Sequence, residues 1–260
     1  MSRTFDFALI WQLARRDVEA RYRGSVLGIL WAVAVPLAML CVYLFVFTTV
    51  LRARWETPTG TQADVALFLF SGLLVFNIFG ETVARAPGLI AEAPHYVKKV
   101  VFPLEVLPVV TLLSALLPFF VSAVILFAAM LVTGLGAPWT VVLLPVLALP
   151  LLLLTLGLSW FLSAIAVYLP DVRHVIGLVV TMALFLSPIF YPASAIPEGL
   201  RWIHDFSPIA WVVETSKDVL FWQRPMDWTG YGIMTGACAL VALLGLWFFM
   251  GAKRGFADVI

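Results

Sequence analysis

From Val106 to Pro170 the chain runs 65 residues without a single Lys, Arg, Asp or Glu. As one helix that stretch would extend about 98 Å, against a bilayer hydrocarbon core ~30 Å thick. It must therefore fold back, and TGLGAPWT (Thr133–Thr140) supplies the Gly, Pro and Trp for a turn at a membrane surface. The stretch reads as a transmembrane hairpin. The rest of the 260 residues agree: 63% are hydrophobic, and mean hydropathy is +1.04. Charged residues make up 12% of the chain, against ~25% in soluble domains. The expected fold class is an all-α polytopic membrane protein, a single transmembrane domain over 1–260.

The formal net charge of +1 and the absence of a basic tail argue against a nucleic-acid partner. No apolar run followed by a small-residue cleavage site occurs in MSRTFDFALIWQLARRDVEARYR, so the first span is expected to stay as an anchor. Cys41 and Cys238 fall in apolar runs and read as small core residues rather than a disulfide.

Six spans are expected: 28–51, 65–84, 105–133, 140–169, 175–191 and 228–251. An even count places both termini on one side of the membrane. With the N-terminus inside, the inner segments hold Arg3, Arg15, Arg16, Arg21, Arg23, Arg85, Lys98, Lys99, Arg173, Lys253 and Arg254. The outer segments hold Arg52, Arg54, Arg201, Lys217 and Arg224. The excess of cations inside makes both termini cytoplasmic. Glu81 and Arg85, four residues apart, are expected to form an intrahelical pair near the interface.

Four segments lie outside the spans. Residues 3–23 place Phe7, Ile10, Trp11, Ala14 and Val18 at helical spacing, with Gln12, Arg16, Glu19 and Arg23 opposite; this is an amphipathic interface helix. The cytoplasmic loop 85–104 mixes apolar and charged residues as a docking surface would. Within it, Ala91–Lys99 is the candidate for a short coupling helix, with Glu92 as a charge and His95 and Tyr96 as a packing anchor. In the short turn LPDVR (Leu169–Arg173), Asp171 and Arg173 are placed to cap and orient helix ends. The outer segment 192–227 alternates aromatic and acidic residues and predicts two short amphipathic helices, broken near Ser207-Pro208 and dipping into the outer leaflet.

The chemistry that is missing narrows the function. No G-x-x-x-x-G-K-[ST] phosphate loop is present. His95, His174 and His204 have no partner at metal-ligand spacing. Ionisable residues sit at span ends rather than mid-span, which argues against an ion-coupled carrier, and no internal repeat points to one. No catalytic constellation emerges, so the chain reads as a permease rather than an enzyme.

Four strings carry a resemblance: RDVEARYRGSVLGILWAVAVPL (Arg16–Leu37), KKVVFPLEVLP (Lys98–Pro108), YLPDVRHV (Tyr168–Val175) and SPIFYP (Ser187–Pro192). In their order and spacing, across nearly the whole chain, they resemble the permease subunit of bacterial type 2 ABC exporters, in the branch that exports O-antigens, teichoic acids and related glycans. Two departures are Ser207-Pro208, where many relatives have Asn before the proline, and APHY before Lys98. The resemblance implies a homodimer in the bacterial inner membrane, enclosing a conduit for a polyprenyl-linked polysaccharide. It implies two copies of a separate ABC ATPase subunit that carry the ATP and Mg, with no cofactor on this chain. Arg16, Glu92, His95, Tyr96, Lys98 and Lys99 would then meet the ATPase. Phe68, Phe76, Phe185, Phe190 and Tyr191 are candidates for the substrate path, because aromatic faces stack on the C–H faces of pyranose rings; packing or lipid contact is the plainer role for any one of them. Trp202, Phe206 and Trp211 belong to the expected outer gate. Capsular polysaccharide, teichoic acid, lipid or drug export are the alternatives within this fold, and a membrane enzyme acting on lipid-linked sugars is the alternative outside it.

Overall fold

The computed structural model describes residues 7–51, 55, 57, 60–93, 102–135 and 139–259. These residues are helical, joined by turns, with no strand among them. In chain order the helices are α1 (Phe7–Tyr22), α2 (Trp31–Leu44), α3 (Gln62–Arg85), α4 (Val106–Val132), α5 (Leu144–Leu147), α6 (Leu149–Tyr168), α7 (Val172–Leu186), α8 (Arg201–Asp205), α9 (Pro208–Phe221), α10 (Trp228–Ala252) and α11 (Phe256–Val259). Helix is the form that satisfies backbone N–H and C=O groups within one segment, which hydrocarbon demands.

Five helical stretches are long and apolar enough to cross a membrane: Gly28–Val50, Ala63–Gly88, Val106–Val132, Leu149–Tyr168 and Trp228–Gly255. They follow the expected spans closely, with one late start. The fourth begins at Leu149 because Trp139–Leu143 forms a tight 3-10 turn and α5 a single turn ahead of it. The expected fifth span, 175–191, is the 15-residue α7. At ~1.5 Å per residue it rises only about 22 Å, short of a ~30 Å core. It stops where it does because Pro188 forces Ser187 into extended backbone, with ψ of 143°.

Helix α3 is the central pillar. It packs on α2, α4, α6, α7 and α9, and Leu67, Phe70, Leu74, Ile78 and Val83 lie in the main core cluster. On the far side α6 and α10 form the tightest helix pair. A Cβ on Gly157 would lie 2.6 Å from the Val241 carbonyl, and one on Gly245 would strike the Gly157 carbonyl. Only glycine lets these backbones touch, and small residues at crossings are how apolar helices associate without a hydrophobic driving force.

Two expectations change here. Cys238 is buried, but Cys41 lies on the exposed face of α2, a helix that turns most of its surface outward; both are free thiols. Glu81 and Arg85 do not pair with each other, because each has a partner on α1.

Candidate functional site

One end of the bundle is built from α1. Its apolar stripe is narrower than the spacing suggests: Ile10 and Ala14 bury against Val106 and Val110 of α4, while Phe7 and Trp11 stay exposed. One turn on, Asp17 takes two hydrogen bonds from the Arg85 guanidinium, at 2.8 Å and 3.1 Å. Arg21 pairs with Glu81. The four residues clamp α1 onto the last two turns of α3. Burial alone would push the Asp17 carboxyl up, but the hydrogen bonds and charge of Arg85, aided by Ser114 and Arg21, hold it below the usual carboxylate range.

A second ionic node joins α4, α6 and α10. Glu105 is 1% exposed, and its Oε2 accepts from Lys253 Nζ at 2.6 Å. Its backbone carbonyl accepts from Trp160 Nε1 at 2.9 Å. Beside this node the Tyr168 hydroxyl donates to the Ala252 carbonyl at 2.8 Å. The motif residues Glu105 and Tyr168 therefore tie three helix ends together. Asp171 takes the N-cap position of α7 by its backbone, without a side-chain capping bond.

Of the candidate ATPase contacts, Arg16 is exposed on the outer face of α1 and Glu92 is exposed just beyond the turn at Ala86–Gly88. His95, Tyr96, Lys98 and Lys99 lie outside the described residues, as does most of the expected coupling helix.

The candidate path aromatics do not form one set: Phe185, Phe190 and Tyr191 meet at the end of α7, while Phe68 and Phe76 lie apart from them on α3. Phe68 is buried and stacks on Phe221, ring centroids 4.2 Å apart. Phe76 packs on Phe79 at 5.7 Å and lines a cleft of ≈ 540 Å³ between α2, α3 and α4. Phe185, exposed, lies beside Phe190 at the C-terminal end of α7. The Tyr191 hydroxyl donates to the carbonyls of Phe185 and Leu186, both at 3.0 Å, and so caps α7.

The segment 192–227, expected on the outer side, forms two helices, α8 and α9, broken at Ser207-Pro208 as the sequence predicts. Ser207 caps α9 by accepting from the Ala210 N–H at 3.3 Å, and Pro208 opens its first turn. Trp202 and Phe206 are exposed, while Trp211 stacks on Tyr231 of α10 at 6.3 Å. Sequence reasoning missed the charges between these helices. His204 Nε2 lies 2.9 Å from Glu214 Oε2, and Lys217, 8% exposed, donates to the Pro188 carbonyl at 2.6 Å. Burial pushes the Glu214 carboxyl up against the pull of His204 and Lys217, and burial brings Lys217 down to about 8. The three-residue step from Glu214 to Lys217 was the available signal.

A helical bundle with apolar spans and ionic clamps at its helix ends has a family to compare with. Residues 8–221 match the model of the ABC-2 type transporter membrane family. The chain belongs to the ABC-2 type transporter family. Among its curated relatives is an O-antigen export system permease protein RfbA of Klebsiella pneumoniae, 27% identical over 258 residues, 98% of this chain and 95% of the relative. Another, of the same description, from Myxococcus xanthus is 33% identical over 190 residues, 73% of this chain and 70% of the relative. The polysialic acid transport protein KpsM of Escherichia coli is 26% identical over 212 residues, 79% of this chain and 78% of the relative. An ABC-2 type transporter chain is a multi-pass membrane permease.

Proposed function

We propose that this ABC-2 type transporter chain is the transmembrane subunit of an ATP-driven exporter of a surface polysaccharide of the O-antigen kind. The observation that carries the reading is the near full-length match to permeases described as O-antigen export proteins, 98% of this chain against 95% of the relative. Two copies in the inner membrane, with both termini cytoplasmic and six crossings each, would enclose the conduit, α7 extended by 187–191 making the fifth. Two ATPase subunits would carry ATP and Mg. The glycan would travel attached to a polyprenyl lipid.

The geometry supports a mechanical division of labour. A chain without a phosphate loop uses ATP only through force applied by a partner. Force on α1 passes to α3 through the Asp17–Arg85 and Arg21–Glu81 pairs. Force on the loop 85–104 passes to α4 and α10 through Glu105 and Lys253. At the other face, α8 and α9 would lie in the outer leaflet and gate the exit.

Expression of the chain with its ATPase in a strain deleted for the export pair tests the reading. Restored surface polysaccharide, lost on mutation of the ATPase, is the expected result; intracellular glycan unchanged by the pair overturns it. In the same system Tyr96→Ala is expected to weaken ATPase association and export more than Lys98→Ala, since a buried aromatic anchor contributes ~2 kcal/mol or more and an exposed charge ~0–1. Wild-type complex and export in Tyr96→Ala would remove loop 85–104 from the transmission path.

A further inference from the structure

From Asp64 to Gly80 every residue of α3 is buried except Asn77. Asn77 opens onto the cleft between α2, α3 and α4. Along α3 the cleft is lined by Phe70, Leu73, Asn77 and Glu81, spaced so that the side chains share a face, and is flanked by Leu74, Phe76, Ile78 and Gly80. The Arg21–Glu81 pair stands at its cytoplasmic end, and Tyr43 and Ser122 bring hydroxyls to the same space.

Asn77 makes no hydrogen bond to any other described residue, although an amide carries two N–H donors and an acceptor carbonyl. Acyl or isoprenoid chains would leave all of them unmet. Water or a hydroxyl-rich ligand would meet them. The remaining wall is apolar and aromatic, with the exposed Trp31 ring on one side and the edges of the buried Phe76 and Phe119 rings behind it. A mostly apolar cleft with a few convergent polar groups is the usual form of a small-ligand site. A pyranose fits this chemistry closely: its C–H face suits a ring, and its vicinal hydroxyls suit a donor and an acceptor side by side.

We propose that the cleft holds a saccharide unit, with the Asn77 amide bonding two neighbouring hydroxyls and thereby favouring particular sugars. The proposal rests on the export reading and adds a holding site within one protomer, formed by α2, α3 and α4.

The test uses the full permease with its ATPase in cells, with Cys41→Ser and Cys238→Ala removing the native thiols. A charged, membrane-impermeant methanethiosulfonate is applied to inside-out vesicles. Asn77→Cys should label at least tenfold faster than Leu69→Cys, which is buried away from the cleft, and than Val124→Cys on the outward face of α4. Vesicles from cells making the lipid-linked glycan should label Asn77→Cys several-fold more slowly than vesicles from cells lacking the first glycosyltransferase. Separately, in the native-cysteine background, Asn77→Leu should lower surface glycan tenfold or more at unchanged permease level and ATPase association, and Asn77→Gln should restore much of it. No labelling, or labelling indifferent to the glycan, overturns the proposal, as does wild-type export by Asn77→Leu. Equal protection by the polyprenyl carrier without sugar also overturns it, in favour of an isoprenoid occupant. If the unsubstituted pair exports no glycan, the export reading fails, and the labelling arms still report what the cleft holds.

Discussion

Gly157 and Gly245 meet backbone to backbone where α6 crosses α10, so a Cβ on either would occupy space held by the other helix. This contact sets the spacing of a pair that carries Trp160 and Tyr168 on one side and Lys253 on the other. Gly245→Ala is expected to push the helices apart and to destabilise the permease by about 1–3 kcal/mol, the usual cost of overpacking. Gly236→Ala on the same helix, where nothing lies within 4 Å, should be neutral or slightly stabilising. Thermal unfolding followed by fluorescence-detected size exclusion compares the two, and equal melting temperatures would remove the crossing from the account.

The Glu105–Lys253 pair predicts an asymmetry. Lys253→Met leaves the Glu105 carboxylate buried without its cation, whereas Glu105→Gln leaves a lysine whose side chain is 29% exposed and reaches solvent. Breaking fully buried pairs costs ~3–5 kcal/mol, and partial exposure reduces the expected loss to about 2. Lys253→Met should therefore destabilise more than Glu105→Gln, and the double substitution should recover part of the loss. Additive losses in a double-mutant cycle would mean the pair is not coupled.

The clamp between α1 and α3 predicts a defect in coupling rather than in folding. Asp17→Arg should lower export at least fivefold while the ATPase still binds, and Asp17→Arg with Arg85→Asp should recover export. The Asp17 carboxyl is held below its ordinary 3.8, so its stabilisation is complete above that value and is lost only as pH falls through the lowered one. Attachment of α1, followed by limited proteolysis, should not vary between pH 6 and pH 8. Detachment within that window would contradict the ion-pair account.

Lys217 predicts a pH effect of opposite kind. Its ammonium faces the Pro188 carbonyl, the Phe68 ring and, one turn away, Glu214, which is itself held by His204. Burial lowers Lys217 from 10.5 to about 8, so below pH 8 the folded protein carries a buried charge that the unfolded chain keeps in water. As pH rises from 7 to 9 the folded form loses this proton first, and stability should gain ~1 kcal/mol relative to Lys217→Met. A stability difference between the two proteins that stays flat over this range would show that Lys217 titrates elsewhere.

The long spans were legible because hydrocarbon imposes a length and a composition that a one-dimensional pattern displays directly. The same holds for the break at Ser207-Pro208, where a cap residue and a missing N–H are local properties. Periodicity also placed Ile10 and Ala14 on the packed face of α1. It missed the length of α7, although Pro188 was in view, because apolar composition continues to Tyr191 while the helix does not. It paired Glu81 with Arg85 because i,i+4 spacing is the only geometry a sequence offers, whereas α1 brought Asp17 and Arg21 close enough to claim both. Which aromatic residues meet a cleft was equally beyond it: Phe68 and Phe76 share one helix and are both buried in the core, yet only Phe76 also borders a cleft. By itself, the sequence determined that this chain is a helical membrane permease of the ABC-2 type, since composition, span length and local motifs are properties of short segments. Tertiary structure alone decided the ionic clamps, the Gly157–Gly245 crossing, the buried Lys217 and the open face of Asn77, since each depends on which distant helix lies alongside.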